Sequence, residues 1–123
     1  MNSTYTNRML LAAAIEQGRP YLSAGNDMAV FRPYDGGIRV RVKGRLDARV
    51  TEGGRLLLRF NRAPTATIQE AVRVLCATYA NANLGIVYKG ERITLQHRDG
   101  TVELPLNHWL DLSQYPPSLI EES

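Results

Sequence analysis

A chain of 123 residues with a 44% apolar content fits one domain with an ordinary hydrophobic core. Its single cysteine, Cys76, excludes an internal disulfide and every multi-cysteine metal site, and points to a reducing compartment. The net charge of +3 is uneven: residues 32–62 carry nine basic and three acidic groups, and after Arg98 no basic residue follows.

In chain order, a helix is predicted from Thr6 to Gln17, with Thr4 or Thr6 as its cap and Gly18 placed for a left-handed end. Pro20 forbids continuation. The apolar stretch from Met9 to Ile15 falls well short of the ~18 residues of a transmembrane helix. It also lacks the basic leader of a signal peptide, so cytoplasm is the expected location. A loop from Tyr21 to Asp27 leads into a short strand, Met28 to Arg32, which Pro33 closes before Asp35-Gly36-Gly37 turns the chain.

Ile38 to Val50 carries the clearest pattern. Its even positions read Ile, Val, Val, Gly, Leu, Ala, Val, and its odd ones Arg, Arg, Lys, Arg, Asp, Arg. That period of two predicts one long half-buried strand, with Gly44 as a bend or bulge. A three-residue loop, Glu52-Gly53-Gly54, then pairs Val50 with Leu56, Ala48 with Leu58 and Leu46 with Phe60. All six apolar side chains share one face, and Asp47 meets Arg59 on the other.

Pro64 ends this hairpin. Thr67 with Glu70 reads as the capping box of a second helix, whose stripe is Ile68, Val72, Leu75 and Tyr79. Three further strands are expected. A Lys89-Gly90 turn sets Leu84 and Ile86 against Leu95 and Ile93, and an Asp99-Gly100 turn pairs Leu95 with Leu104, His97 with Val102 and Ile93 with Leu106. Asn107 to Leu112 reads as a last helical turn. The expected class is α+β, in the order α-β-β-β-α-β-β-β-α, with a mainly antiparallel sheet and two principal helices packed on one face. One domain is expected over residues 1–115, with residues 116–123 a disordered acidic tail.

Catalysis has little to stand on. His97 falls on the apolar face of its strand, His108 and Asp111 lie three apart without a third partner, and Cys76 sits mid-helix beside the apolar stripe. There is no glycine-rich phosphate loop and no nucleophile elbow. No enzyme activity, cofactor or metal is expected.

The candidate binding residues are Arg39, Arg41, Lys43, Arg45, Arg49 and Arg59. Projecting from one side of a sheet, they suit a phosphate backbone or an acidic protein surface; they also suit a solvated face kept soluble by charge. Stacking aromatics do not interleave with Arg39 to Arg49 in the sequence, and no helix is arginine-rich enough to read a major groove.

The opening helix running into Gly18-Arg19-Pro20, Gly25-Asn26 before a strand, the strand around Lys43-Gly44, and the Thr65-to-Glu70 helix opening resemble small proteins of tailed phages and prophages. The long strand is richer in arginine than that pattern. The resemblance implies a non-catalytic protein that docks on a host protein or protein–nucleic-acid complex, including as an inhibitor of CRISPR or another defence system. The +3 charge does not suit an acidic mimic of DNA. The alternative is a sequence-independent nucleic-acid-binding accessory protein using the arginine-rich face. No membrane partner is expected.

Overall fold

Good helix formers from Met9 onward carry α1 (Ser3–Gln17), which begins before either threonine expected to cap it. In this computed structural model, residues 3–34, 36–62, 65–79, 85–89, 92–97, 100–113 and 118–120 are described. The helix ends as its sequence requires. Gly18 has φ 66°, its N–H donates to the Ile15 carbonyl at 3.2 Å, and the Arg19 N–H donates to the Ala14 carbonyl at 3.0 Å. Two carbonyls left over at the helix end are thereby satisfied, which only a residue at home in left-handed backbone permits cheaply.

β1 (Tyr21–Leu22) and β2 (Met28–Phe31) form a short antiparallel pair. The predicted strand Ile38–Val50 is in fact two, β3 (Ile38–Val42) and β4 (Leu46–Val50). Gly44, at φ 73°, is the left-handed residue of a reversal over residues 43–45, which the Arg45 N–H closes on the Val42 carbonyl at 2.9 Å. A three-residue reversal leaves parity intact, so Val42 lands opposite Leu46 and the alternation runs on unbroken through the turn. Periodicity alone therefore cannot distinguish a bend from a reversal here.

β5 (Leu56–Phe60) joins β4 in the expected register, with Val50 opposite Leu56, Ala48 opposite Leu58 and Leu46 opposite Phe60. Gly54 supplies the left-handed backbone of that turn, at φ 89°. Gly37, at φ 78°, meets a stricter demand: a Cβ there would collide with the Val50 carbonyl oxygen.

α2 (Ala66–Tyr79) is capped two residues earlier than Thr67. The Thr65 Oγ1 accepts the Ile68 N–H at 3.4 Å, and the Thr65 carbonyl accepts the Gln69 N–H. Glu70 is paired instead with Arg73, one turn along. The stripe itself is as expected, with Ile68, Val72 and Leu75 fully buried and Tyr79 half-buried.

A separate three-stranded sheet follows, β6 (Gly85–Lys89), β7 (Arg92–His97) and β8 (Gly100–Leu104). Its registers differ from those expected. Ile86 faces Leu95 and Lys89 faces Arg92; Leu95 faces Val102 and Ile93 faces Leu104. Each pairing has moved by two residues, the smallest slip that leaves every side chain on its original face. Ile93 and Leu95 remain fully buried. Lys89 and Gly100, expected in the turns, are strand residues opposite Arg92 and His97, while Leu84, Gly90 and Asp99 lie outside the described residues.

The predicted terminal helix is a strand. β9 (Trp109–Asp111) pairs with β5, setting Leu58 opposite Leu110 and Leu57 opposite Asp111. β10 (Ser118–Ile120) then pairs with β9, so part of the segment taken for a disordered tail is the edge of the sheet. Position 107 allows the entry: Asn107 takes φ 63°, a conformation asparagine tolerates, and its N–H donates to the Phe60 carbonyl at 2.7 Å. The first sheet thus has seven strands in the order β1-β2-β3-β4-β5-β9-β10, and every strand pairing is antiparallel.

The class is α+β. One buried cluster collects the even-numbered residues of β3, β4 and β5, the stripes of α1 and α2, and Ile93, Leu95, Leu104, Leu110 and Leu112. The Tyr79 hydroxyl ties the helices together by donating to the Ile15 carbonyl at 2.8 Å. Among the described residues no helix is long and apolar enough to cross a membrane.

Candidate functional site

The same alternation that fills the core assigns the odd-numbered residues of β3, β4 and β5 to the opposite face. Because Ile38–Val50 folds back on itself, its arginines do not form a line. On one strand Arg39 and Arg49 would stand roughly 34 Å apart; here they lie directly opposite on adjacent strands. Two transverse rows result. One runs Phe31, Arg39, Arg49, Leu57, Asp111 across β2, β3, β4, β5 and β9. The other runs Ala29, Arg41, Asp47, Arg59 from β2 to β5. Lys43 and Arg45 lie in the turn at one end of this patch rather than on a strand.

Compensation differs between the rows. Arg41 lies 3.4 Å from the Asp47 carboxylate, while Arg59 donates to the Asn61 Oδ1 at 2.8 Å. Among the described residues no carboxylate pairs with Arg39 or Arg49. Like charges directly opposite on neighbouring strands are destabilising by a few tenths of a kcal/mol, up to about 1. Among the described residues, these two facing guanidinium groups have no carboxylate to bridge them.

Aromatic rings do interleave with these arginines, contrary to the linear reading. The Arg49 guanidinium lies 5.6 Å from the centre of the Trp109 ring and that of Arg59 lies 6.0 Å from it. Arg41 lies 5.9 Å from the centre of the Phe31 ring. These are cation–π distances, each contributing about 0.5 to 1 kcal/mol at exposed sites. Trp109 escaped the sequence reading because a pairing between strands some fifty residues apart leaves no local sign of its partner. One signal was available: Trp109, Leu110 and Asp111 alternate as an outward, inward, outward strand would.

A latch secures β9 beside β5. Arg55 donates two hydrogen bonds to Asp111 Oδ2, at 3.1 and 2.9 Å, and the Ser113 N–H donates to Oδ1 at 2.8 Å. Burial works to raise the Asp111 carboxyl, yet the hydrogen bonds from Ser113 and Arg55 outweigh it and hold the group below the usual carboxylate range. Asp111 is thereby engaged with Arg55 and Ser113, not with the exposed His108.

Cys76 is fully buried, and desolvation pushes its thiol up to about 12. His97 belongs to β7, opposite Gly100. Among the described residues no three His, Cys, Asp or Glu side chains gather as a metal site would require. Comparison of the chain with protein-family models, with curated proteins and with solved structures finds no match.

Proposed function

We propose that this protein is a non-catalytic binding module whose ligand is nucleic acid, held through its phosphates, without base-sequence preference, by the outer face of the seven-stranded sheet. The observation that carries this reading is the facing pair Arg39–Arg49, cations set together with no carboxylate partner among the described residues. A planar guanidinium binds a phosphate through two parallel hydrogen bonds, which suits arginine over lysine. An acidic protein surface offers the same charge. The aromatic rings of Trp109 and Phe31 among the cations favour a ligand that also has flat π-faces.

Docking on a host complex, the reading that the phage-like pattern implies, is compatible with this face when the complex contains nucleic acid. The test is Arg39→Gln with Arg49→Gln in one chain. Affinity is expected to fall for every oligonucleotide tested, and the slope of log K against log salt to become shallower by about 0.7 to 0.9 for each phosphate no longer neutralised. Unchanged affinity and slope would refute the assignment. A partner protein captured after nuclease treatment, and lost in the double variant, would transfer the face to an acidic protein surface.

A further inference from the structure

Resting on that reading, we infer that the ligand is a single strand, and that Trp109 is the platform on which one of its unpaired bases stacks. The rows alone would serve any polyanion, duplex included. What selects a single strand is the placement of Trp109. It is half-buried on β9, at the far side of the cationic patch from Phe31, with Arg49 and Arg59 each about one ring-width from its centre. Stacking needs a base whose π-face is free, and along a duplex those faces are covered by the neighbouring pairs.

The layout also suits a strand crossing the sheet. Phe31 on β2 and Trp109 on β9 are four strand spacings apart, roughly 19 Å, and the cations of β3, β4 and β5 lie between them. Two carboxylates lie in these rows, and each is engaged by an arginine, Asp47 by Arg41 at 3.4 Å and Asp111 by Arg55 at 2.9 Å. A single strand laid across β2, β3, β4, β5 and β9 would therefore meet aromatic, cationic and again aromatic groups. The Arg49 and Arg59 guanidinium groups now lie over the Trp109 ring; an incoming base would take their place on it, and they would swing aside to its neighbouring phosphates. Arg49 and Arg59 thus have two tasks, one toward the ring and one toward the backbone.

Trp109 is the sole tryptophan of the chain, so its emission reports this position alone. The experiment titrates the full chain with oligothymidylate, with an abasic strand of equal length, and with a hairpin duplex. Expected are quenched emission and the tightest binding with oligothymidylate, with weaker binding and unaltered emission for the abasic strand and the duplex. Trp109→Ala should weaken oligothymidylate binding about 5- to 150-fold, the range of one missing base–aromatic stack, while Trp109→Phe should restore part of it. Emission unmoved by a bound oligothymidylate, or equal affinity for the base-bearing and abasic strands, would overturn the stacking role while leaving the phosphate reading in place. Equal affinity for duplex and single strand would overturn the single-strand assignment. Failure of all three ligands to bind would remove both readings together, and the wild-type titrations decide these outcomes even if the alanine variant does not fold.

Discussion

The two faces of the strands β3, β4 and β5 are built from alternate residues of the same segments, yet they answer to different constraints. On the inner face Leu46, Leu56, Leu58 and Phe60 are fully buried in the cluster that also holds the helix stripes, so shape and volume decide what is tolerated. On the outer face Arg39, Arg41, Arg49 and Arg59 keep partial or full exposure, and two of them oppose each other without a carboxylate partner among the described residues. The difference separates what holds the molecule together from what it can offer a ligand. Stability should reside almost wholly on one side of the sheet, and binding on the other.

The contrast can be broken first on the inner face. Leu58→Ala should cost about 2 to 5 kcal/mol through reduced burial and an unfilled cavity; thermal stability within a degree of wild type would mean that this register is wrong. Gly37 and Gly44 sharpen the same point, because both have left-handed backbone but only one has a neighbour. An added methyl at Gly37 would collide with the Val50 carbonyl, whereas around Gly44 the space is open. Gly44→Ala should therefore cost about 1 to 2 kcal/mol, the conformational penalty alone, and Gly37→Ala distinctly more. Equal losses in chemical denaturation would show that the backbone around Gly37 relaxes to admit the methyl.

The Arg55–Asp111 latch lies between the two extremes, on the outer face with Asp111 buried and Arg55 exposed. Asp111→Asn should cost about 1.5 to 3 kcal/mol, as expected for hydrogen bonds to a charged group. Since the folded carboxyl titrates below the ordinary value of 3.8, its contribution is complete above that value and is lost as pH falls through the lower, folded one. Stability curves of wild type and Asp111→Asn should converge on acidification; parallel curves would show that the latch does not couple protonation to folding.

The smallest effect belongs to the outer cations. Arg39→Gln should leave stability within about 0.5 kcal/mol, or raise it slightly by relieving Arg49, while weakening nucleic-acid binding. A large loss of stability from this change would erase the distinction between the faces.

How much of this was legible in the chain depends on how far apart the interacting residues lie. The hairpin register from Leu46 to Phe60 was carried by parity, because slipping one residue would turn a whole strand's apolar set toward solvent. Gly44 shows the limit of that signal, since a reversal that preserves parity looks like a continuous strand. The second sheet shows the same limit, its pairings displaced by two residues without changing any face. The six cationic candidates were likewise visible as odd positions, but their gathering into a patch was not.

The amino-acid sequence by itself determined the α+β class, the left-handed end of α1, the stripe of α2 and the assignment of each hairpin residue to core or surface. These rest on contacts between near neighbours, where backbone geometry sets the period and a few turn residues set the phase. Only the tertiary structure decided that Trp109–Asp111 is a strand beside β5, and that Trp109 comes to lie among Arg49 and Arg59. That pairing joins residues some fifty positions apart, whose affinity for each other depends on the free edge of a sheet already formed. No local pattern can announce an edge that exists only once the rest of the molecule has folded.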